Sequence, residues 1–278
     1  MSLEKLNRIL AYIALILLTI LCLFSFYMLI MNSTQSHTQI QRGFSFRPGG
    51  FFGRNLKNVL ANENLPVLKG LQNSLLVSAA TALLSTYFSV LTAFAIHAYD
   101  FRFKRIIFTF IMLLMMVPPQ VSALGFIRWM STLDLLDSLI PLFLPSIAAP
   151  IVFYFMLSYM QSNLPRAVVE AARMDGSSEF RTFNQIVLPI MKPAIAVQAI
   201  FSFVSAWNNY FIPALIIRSA DKKTMPILIA QLRSADFLKF DMGQVYVLIF
   251  LAIIPIVIAY ILLSKYIVRG VAMGSVKE

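Results

Sequence analysis

Glu170-Ala171-Ala172-Arg173-Met174-Asp175-Gly176, running on to Ile186-Val187-Leu188-Pro189, is the stretch from which the rest of this chain can be read. It carries charge between two strongly apolar stretches. Pro165 can open a short helix at its first turn, where a missing N–H costs little, and Val168, Val169 and Ala172 give that helix an apolar side. Gly176 after Asp175 supplies the backbone freedom for a sharp reversal. Ser177 or Ser178 can cap a second helix, along which Phe180, Phe183 and Val187 recur at helical spacing until Pro189 stops it. Two short helices in an L or hairpin would project knobs from a membrane face. By composition alone, the same stretch also reads as an amphipathic loop lying on lipid.

The membrane enters through composition. The 278 residues are 59% hydrophobic with a mean hydropathy of +0.78, against about 45–50% apolar in soluble domains. A bilayer core about 30 Å thick needs roughly 20 apolar residues per helix. Six windows qualify: Ile9 to Met31, Ser74 to Ala98, Ile106 to Ile127, Leu139 to Met160, Ala194 to Ile217 and Gly243 to Val268. Apart from His97 and Lys265, each near an end, they hold no Asp, Glu, Lys, Arg or His. The alternation of membrane strands is missing, so the expected fold is all-α, a bundle of six transmembrane helices in a single transmembrane domain over residues 1–278, with the charged loop at about 163–191. The first window is long for a signal peptide and reads as a retained signal anchor. Cys22 within it has no partner for an intrachain disulfide.

A net charge of +11 beside so many apolar windows points to lipid headgroups and topology rather than to nucleic acid, since no basic soluble domain is present. Six spans put both termini on one side. With both ends cytoplasmic, the inside holds 12 Lys and Arg and the outside 11, which decides nothing. Short segments near helix ends carry the rule, and Arg102-Phe103-Lys104-Arg105 is the clearest such cluster. The expectation is therefore N- and C-termini in the cytoplasm, with the loop from Asn32 to Asn73 outside, punctuated by Gly43, Pro48, Gly49, Gly50 and Gly53.

The run from Glu170 to Pro189 resembles the EAA loop of binding-protein-dependent ABC importer permeases, with Glu170-Ala171-Ala172, Gly176 and Ile186-Val187-Leu188-Pro189 at that family's spacing. Asn73-Ser74, Pro118-Pro119-Gln120, Trp207-Asn208 and the ending Arg269-Gly270-Val271-Ala272-Met273-Gly274-Ser275-Val276-Lys277 are similar to its carbohydrate branch, and to the second of its two permease subunits, as in the maltose, multiple-sugar and raffinose systems. The resemblance implies a cytoplasmic coupling loop between helices four and five that seats in a separate ATPase subunit, with Glu170, Ala171, Ala172, Asp175, Gly176, Leu188 and Pro189 in the contact. It also implies a homologous permease partner, two ABC ATPase subunits, an extracytoplasmic solute-binding protein and residence in a prokaryotic cytoplasmic membrane. No G-x-x-x-x-G-K-[ST] loop occurs in the chain, so ATP and Mg are expected in the partner ATPase, with no cofactor or metal on this chain.

Gln198, Ser202, Ser205 and Asn209 follow spacings that put them on one face of the fifth span, with Trp207, Asn208 and Tyr210 beside them. Amides, hydroxyls and rings suit a neutral sugar, and Gln198, Trp207, Asn208, Asn209 and Tyr210 are the candidate substrate path. The same small polar groups also serve helix packing in lipid. Ser74, Ser78, Thr81, Ser85 and Ser89 form a second stripe, without amides, read as packing. Pro118 and Pro119 are a candidate hinge or gate, or a static kink. The expected function is import of a sugar, an oligosaccharide first of all, by alternating access. The alternatives are another ABC solute, such as glycerol phosphate or a polyol, or an ion-coupled carrier. A carrier would need intramembrane ionisable groups that the windows lack, and an enzyme has no dyad or metal set to work with.

Overall fold

The computed structural model describes residues 3–234 and 241–274. All its regular elements are helical, and the chain divides into two compact units, one from Met1–Val67 with Leu228–Ile254 and the other from Leu68–Ile227 with Pro255–Glu278. Among the described residues, five helices are long and apolar enough to cross a membrane, and a bent pair makes a sixth candidate. Of the C-terminal signature quoted above, residues 275–277 lie outside the described residues.

In the smaller unit, α1 (Leu3–Ser33) is apolar on every side and exposed along its hydrophobic length, as a helix facing lipid must be. The turn after it leads to α2 (His37–Gln41), opened by a capping box in which Gln39 N donates to Ser36 Oγ and Ser36 N to Gln39 Oε1. Asn55 on α3 (Phe52–Leu60) is buried and donates from Nδ2 to the carbonyls of Ser33, at 3.2 Å, and Gln35, at 2.8 Å. A Cβ at Gly243 would lie 2.6 Å from that same Nδ2, so only glycine lets the chain approach the clasp here.

The larger unit is built around α4 (Val67–Ala98), an unbroken helix of 32 residues. The third window, expected as one helix over residues 106–127, is instead α5 (Lys104–Leu114) and α6 (Pro119–Thr132), bent by 99°. Pro119 pushes the residue before it out of helical conformation, and Pro118 duly sits at φ −63°, ψ 130°. The fourth window is likewise segmented by proline into α7 (Ile140–Phe143), a 3-10 turn at Leu144–Ile147 and α8 (Pro150–Asn163).

Next come α9 (Arg166–Met174) and α10 (Glu179–Thr182), a π-helical turn over Phe183–Val187, and α11 (Leu188–Trp207). Pro189 does not stop a helix. It lies in the first turn of α11, directly after the wider π turn, where a missing N–H is easily absorbed. The run Glu179–Trp207 thus forms one membrane-length helix. The fifth window, expected to continue to Ile217, ends earlier. The ring of Pro213 would clash with the Asn209 carbonyl in a continuous helix, and a separate α12 (Phe211–Ile216) follows. Then come α13 (Met225–Arg233) and α14 (Met242–Gly274).

The core of this unit joins α4, α8, α9 and α11 through Phe94, Phe153, Met156, Met160, Val169, Phe183, Val187 and Met191. Phe183 meets Tyr87 edge-on at 5.6 Å and Phe94 at 5.7 Å. At another place, Asp137 closes the loop before α7 onto the loop after α12. Its Oδ1 accepts from Arg218 N and Ser219 N, each at 2.9 Å, its Oδ2 accepts from Ser219 Oγ, and Lys222 Nζ donates to its backbone carbonyl at 2.7 Å. Asp137 holds a left-handed φ of 56° to do this, a conformation that Asp tolerates better than most residues. Asn73 Nδ2 joins the same end through the carbonyls of Asp221 and Lys223.

Candidate functional site: a braced helical loop and a polar cavity

The α9–α10 turn is made by backbone geometry. Ser177 N donates to Ala172 O and Gly176 N to Arg173 O, both at 3.0 Å, a Schellman closure that needs the left-handed φ of 73° at Gly176. Ser178, rather than Ser177, caps α10 through Arg181 N. The amphipathic pattern of α9 sends Val169 and Ala172 into the core. Glu170, Ala171 and Asp175 stay exposed. Met174 is 88% exposed and Phe180 71%. Beyond the turn, Leu188 is half-buried and Pro189 exposed. The result is an outward knob with two large apolar side chains on a buried base.

That base is braced by groups which sequence spacing alone does not connect. Glu179 receives Arg173 Nε at 2.7 Å and the Tyr99 hydroxyl at 2.5 Å, while the Arg173 guanidinium lies 4.9 Å over the Tyr99 ring. Burial and the Glu179 hydrogen bond push the Tyr99 hydroxyl pKa up, so it stays a donor. Asp100 pairs with Lys104 at 2.9 Å and with Arg166 at 3.1 Å, and these cations, Lys104 first, hold its carboxyl below the usual range. His97 Nε2 lies 2.9 Å from the Leu164 carbonyl just ahead of α9. The end of α4 therefore holds both sides of the loop. These partners are 80 positions apart in sequence at Tyr99–Glu179 and 66 at Asp100–Arg166, and no local signal marks them.

Within the larger unit, a cavity of about 360 Å³ is lined by Gln198, Ser202, Ser205 and Asn209, and also by Thr81, Ser85 and Ser146. The face read from the sequence is thus gathered at one place. Ser85 Oγ donates to Ser202 Oγ at 3.1 Å. Thr81 Oγ1 is buried without a hydrogen-bond partner among the described residues, leaving a hydroxyl able to give and take a bond. No charged side chain is among the lining residues. Trp207 is not part of this wall. It is 2% exposed and stacks on Phe203 at 5.7 Å. Asn208 and Tyr210 are exposed beyond the helix end and do not line the cavity. Pro118 and Pro119 lie at the α5–α6 bend, outside it. The stripe on α4 was read as packing because it lacked amides; Thr81 and Ser85 nonetheless face the cavity, as their four-residue spacing allows.

Residues 85–273 match the model of the family described as binding-protein-dependent transport system inner membrane component. The arabinooligosaccharides transport system permease protein AraQ of Bacillus subtilis is 31% identical over 94% of this chain and 92% of its own. The sn-glycerol-3-phosphate transport system permease protein UgpE of Yersinia pestis is 31% identical over 94% and 95%. A chain from the crystal structure of a bacterial ABC transporter involved in the import of the acidic polysaccharide alginate superposes with a TM-score of 0.79, covering 96% of this chain and 98% of that one at 23% identity, and so shares the fold. A helical, multi-pass architecture and a match across most of its length together mean that this chain belongs to the family of inner-membrane components of binding-protein-dependent transport systems.

Proposed function

We propose that this chain is one of two homologous permease subunits of an ATP-driven importer for an oligosaccharide or related neutral sugar, and that the α9–α10 knob couples it to a separate ATPase subunit. The carrying observation is continuity. The helix that begins at Glu179 beneath the knob runs through the π turn to Gln198 and Ser202 in the cavity wall, so a rigid displacement at the knob reaches the solute path. Exposed Ala171, Met174 and Phe180 supply the face, and Gly176 the turn. ATP and Mg would bind the two ATPase subunits, and a solute-binding protein would deliver sugar from outside. The permease would act as a transport component rather than a catalyst.

Six spans, with α5 and α6 forming one, agree with the side-chain ties. Tyr99 and Asp100 meet the α9–α10 loop at one end, and Asp137 meets Ser219 at the other. The cluster Arg102, Lys104 and Arg105 would place the knob and both termini in the cytoplasm. A sugar suits the cavity better than the glycerol phosphate of the UgpE system does, because a phosphate calls for Arg or Lys and none lines it.

Uptake of labelled oligosaccharides by cells carrying variants tests the solute path. Gln198→Ala and Asn209→Ala should each raise the half-saturating concentration about fivefold, the loss of roughly one hydrogen bond. Asn208→Ala, outside the cavity, should leave it within about twofold. Equal effects from all three would remove the cavity from the path. For coupling, a photo-crosslinker on Met174→Cys in a Cys22→Ala background should capture the ATPase subunit in the assembled complex. Adducts to lipid alone would mean that the loop lies on the membrane.

A further inference from the structure

We propose that the basic recess at the α4–α5 turn is a binding site for an anionic phospholipid, its phosphodiester held by Arg102 and Arg105 and its chains laid along α5. The recess, about 410 Å³, is lined by the exposed side chains of Arg102, Arg105 and Gln161 and by apolar Ile96, Phe108 and Leu157. That volume lies within the ~300–1,000 Å³ of ordinary small-molecule sites.

Of its three cations, one is paired within the chain and two have no ion pair among the described residues. Lys104, which also lines the recess, is held by Asp100 Oδ1 and by the Tyr99 carbonyl, each at 2.9 Å. Arg105 makes no ion pair or hydrogen bond among the described residues, and Arg102 only lies 5.6 Å from the Phe103 ring centre. Two guanidiniums on one short turn can fork onto phosphate oxygens, and the Gln161 amide adds a donor.

The choice of a lipid over a soluble phosphate comes from the other half of the wall. The recess opens where the apolar run of α4 ends, and Ile106, Ile107 and Phe110 continue along α5 as exposed apolar side chains. A soluble anion gains nothing from that surface, whereas acyl chains bury it. The assignment is independent of any role of α9 in coupling, because its measure is binding alone.

The test is native mass spectrometry of the full chain released from nanodiscs of phosphatidylcholine, in which phosphatidylglycerol is titrated. A saturable single phosphatidylglycerol adduct is expected. Arg102→Gln with Arg105→Gln should weaken it about tenfold. Lys5→Gln with Arg8→Gln, which removes the same charge from α1, should leave it unchanged. If the double variant at the recess does not fold, Arg105→Lys, keeping charge but losing the fork, should still weaken the adduct about threefold. Equal losses from both charge pairs would reduce the recess to diffuse surface attraction and overturn the proposal. Displacement of the lipid by millimolar inorganic phosphate would assign the site to a soluble anion and overturn it as well.

Discussion

The two ends of the larger unit are fastened by different chemistry. Around the α9–α10 knob, the carboxylates are tied from side chain to side chain, Arg173 to Glu179, Tyr99 to Glu179, Asp100 to Lys104 and Arg166, and His97 adds one bond to the Leu164 carbonyl. At the far end, one carboxylate on Asp137 accepts two backbone N–H groups and the Ser219 hydroxyl. Exposed ion pairs contribute little and weaken with salt, while a carboxylate that accepts backbone N–H groups fixes the chain itself. The polar ties of the knob are therefore the weaker set, and its base is held chiefly by the buried Val169, Phe183 and Val187.

The largest break expected is at the knob. Gly176→Val forces a β-branched residue into a left-handed φ of 73°. No atom lies within 4 Å of the added Cβ, so the cost is backbone strain at the turn rather than a crowded core. Uptake should fall more than about tenfold while membrane insertion stays normal, and Gly176→Asn, which tolerates this φ, should lose about twofold. Undiminished uptake by the valine variant would end the claim that the turn transmits motion.

The Asp137 end should answer in stability instead. Asp137→Asn keeps the tolerated backbone conformation and removes the charge, so thermal unfolding should begin a few degrees lower with little change in uptake. The clasp holds the Asp137 carboxyl well below the ordinary range, Ser219 first and the Arg218 N–H after it. A depressed folded-state pKa means that the stabilisation is complete above the unfolded value of about 4 and is lost as pH falls below it. Wild-type unfolding should therefore sensitise to acid below about pH 4, and the asparagine variant should lack that component. An unchanged acid profile in the variant would shift the effect to other carboxylates.

The contrast between the ends also divides what could be read from the sequence. The turn at Gly176 and the burial of Val169 and Ala172 are local, decided by a few neighbouring residues, and were legible, whereas spacing left Ser177 and Ser178 both open as the cap and put Val168, which is exposed, on the apolar side. The face of Gln198, Ser202 and Ser205, which depends only on helical spacing, was legible too. The break at Asn208 was hidden because Pro213 acts four residues upstream, and it moved Asn208 and Tyr210 away from the cavity, while Trp207, still within α11, turns onto Phe203. Pro189 misled in the opposite direction, since a π turn absorbed it. Tyr99, Asp100 and Asp137 were invisible because their partners lie far along the chain, and only folding reveals which carboxylate meets which cation.

Arg173→Gln should sit between these effects. Its ion pair is partly exposed, with side chains 33% and 45% accessible, so screening leaves little stability to lose. The same change removes the cation over the Tyr99 ring, so uptake should fall about twofold at low salt, and less at high salt, where wild type approaches the variant. A loss of uptake independent of salt would mean that packing, rather than charge, steadies the knob.

Tyr99→Phe is the mildest and most discriminating change. It deletes the hydroxyl that donates to Glu179 and keeps the ring beneath Arg173. The bond is exposed to solvent, which replaces most of what is lost, so its net worth is on the order of 1 kcal/mol, and Glu179 retains Arg173. Unfolding should be indistinguishable from wild type, with uptake within about twofold. Because burial and Glu179 both raise the Tyr99 pKa, the hydroxyl remains a donor up to at least about pH 10, and the small difference between variant and wild type should not vary with pH below that. If Tyr99→Phe costs more uptake than Arg173→Gln, the hydroxyl rather than the cation links α4 to the knob. The weaker set of ties would then rest on one oriented hydrogen bond, and the contrast with Asp137 would narrow to a difference in number of bonds.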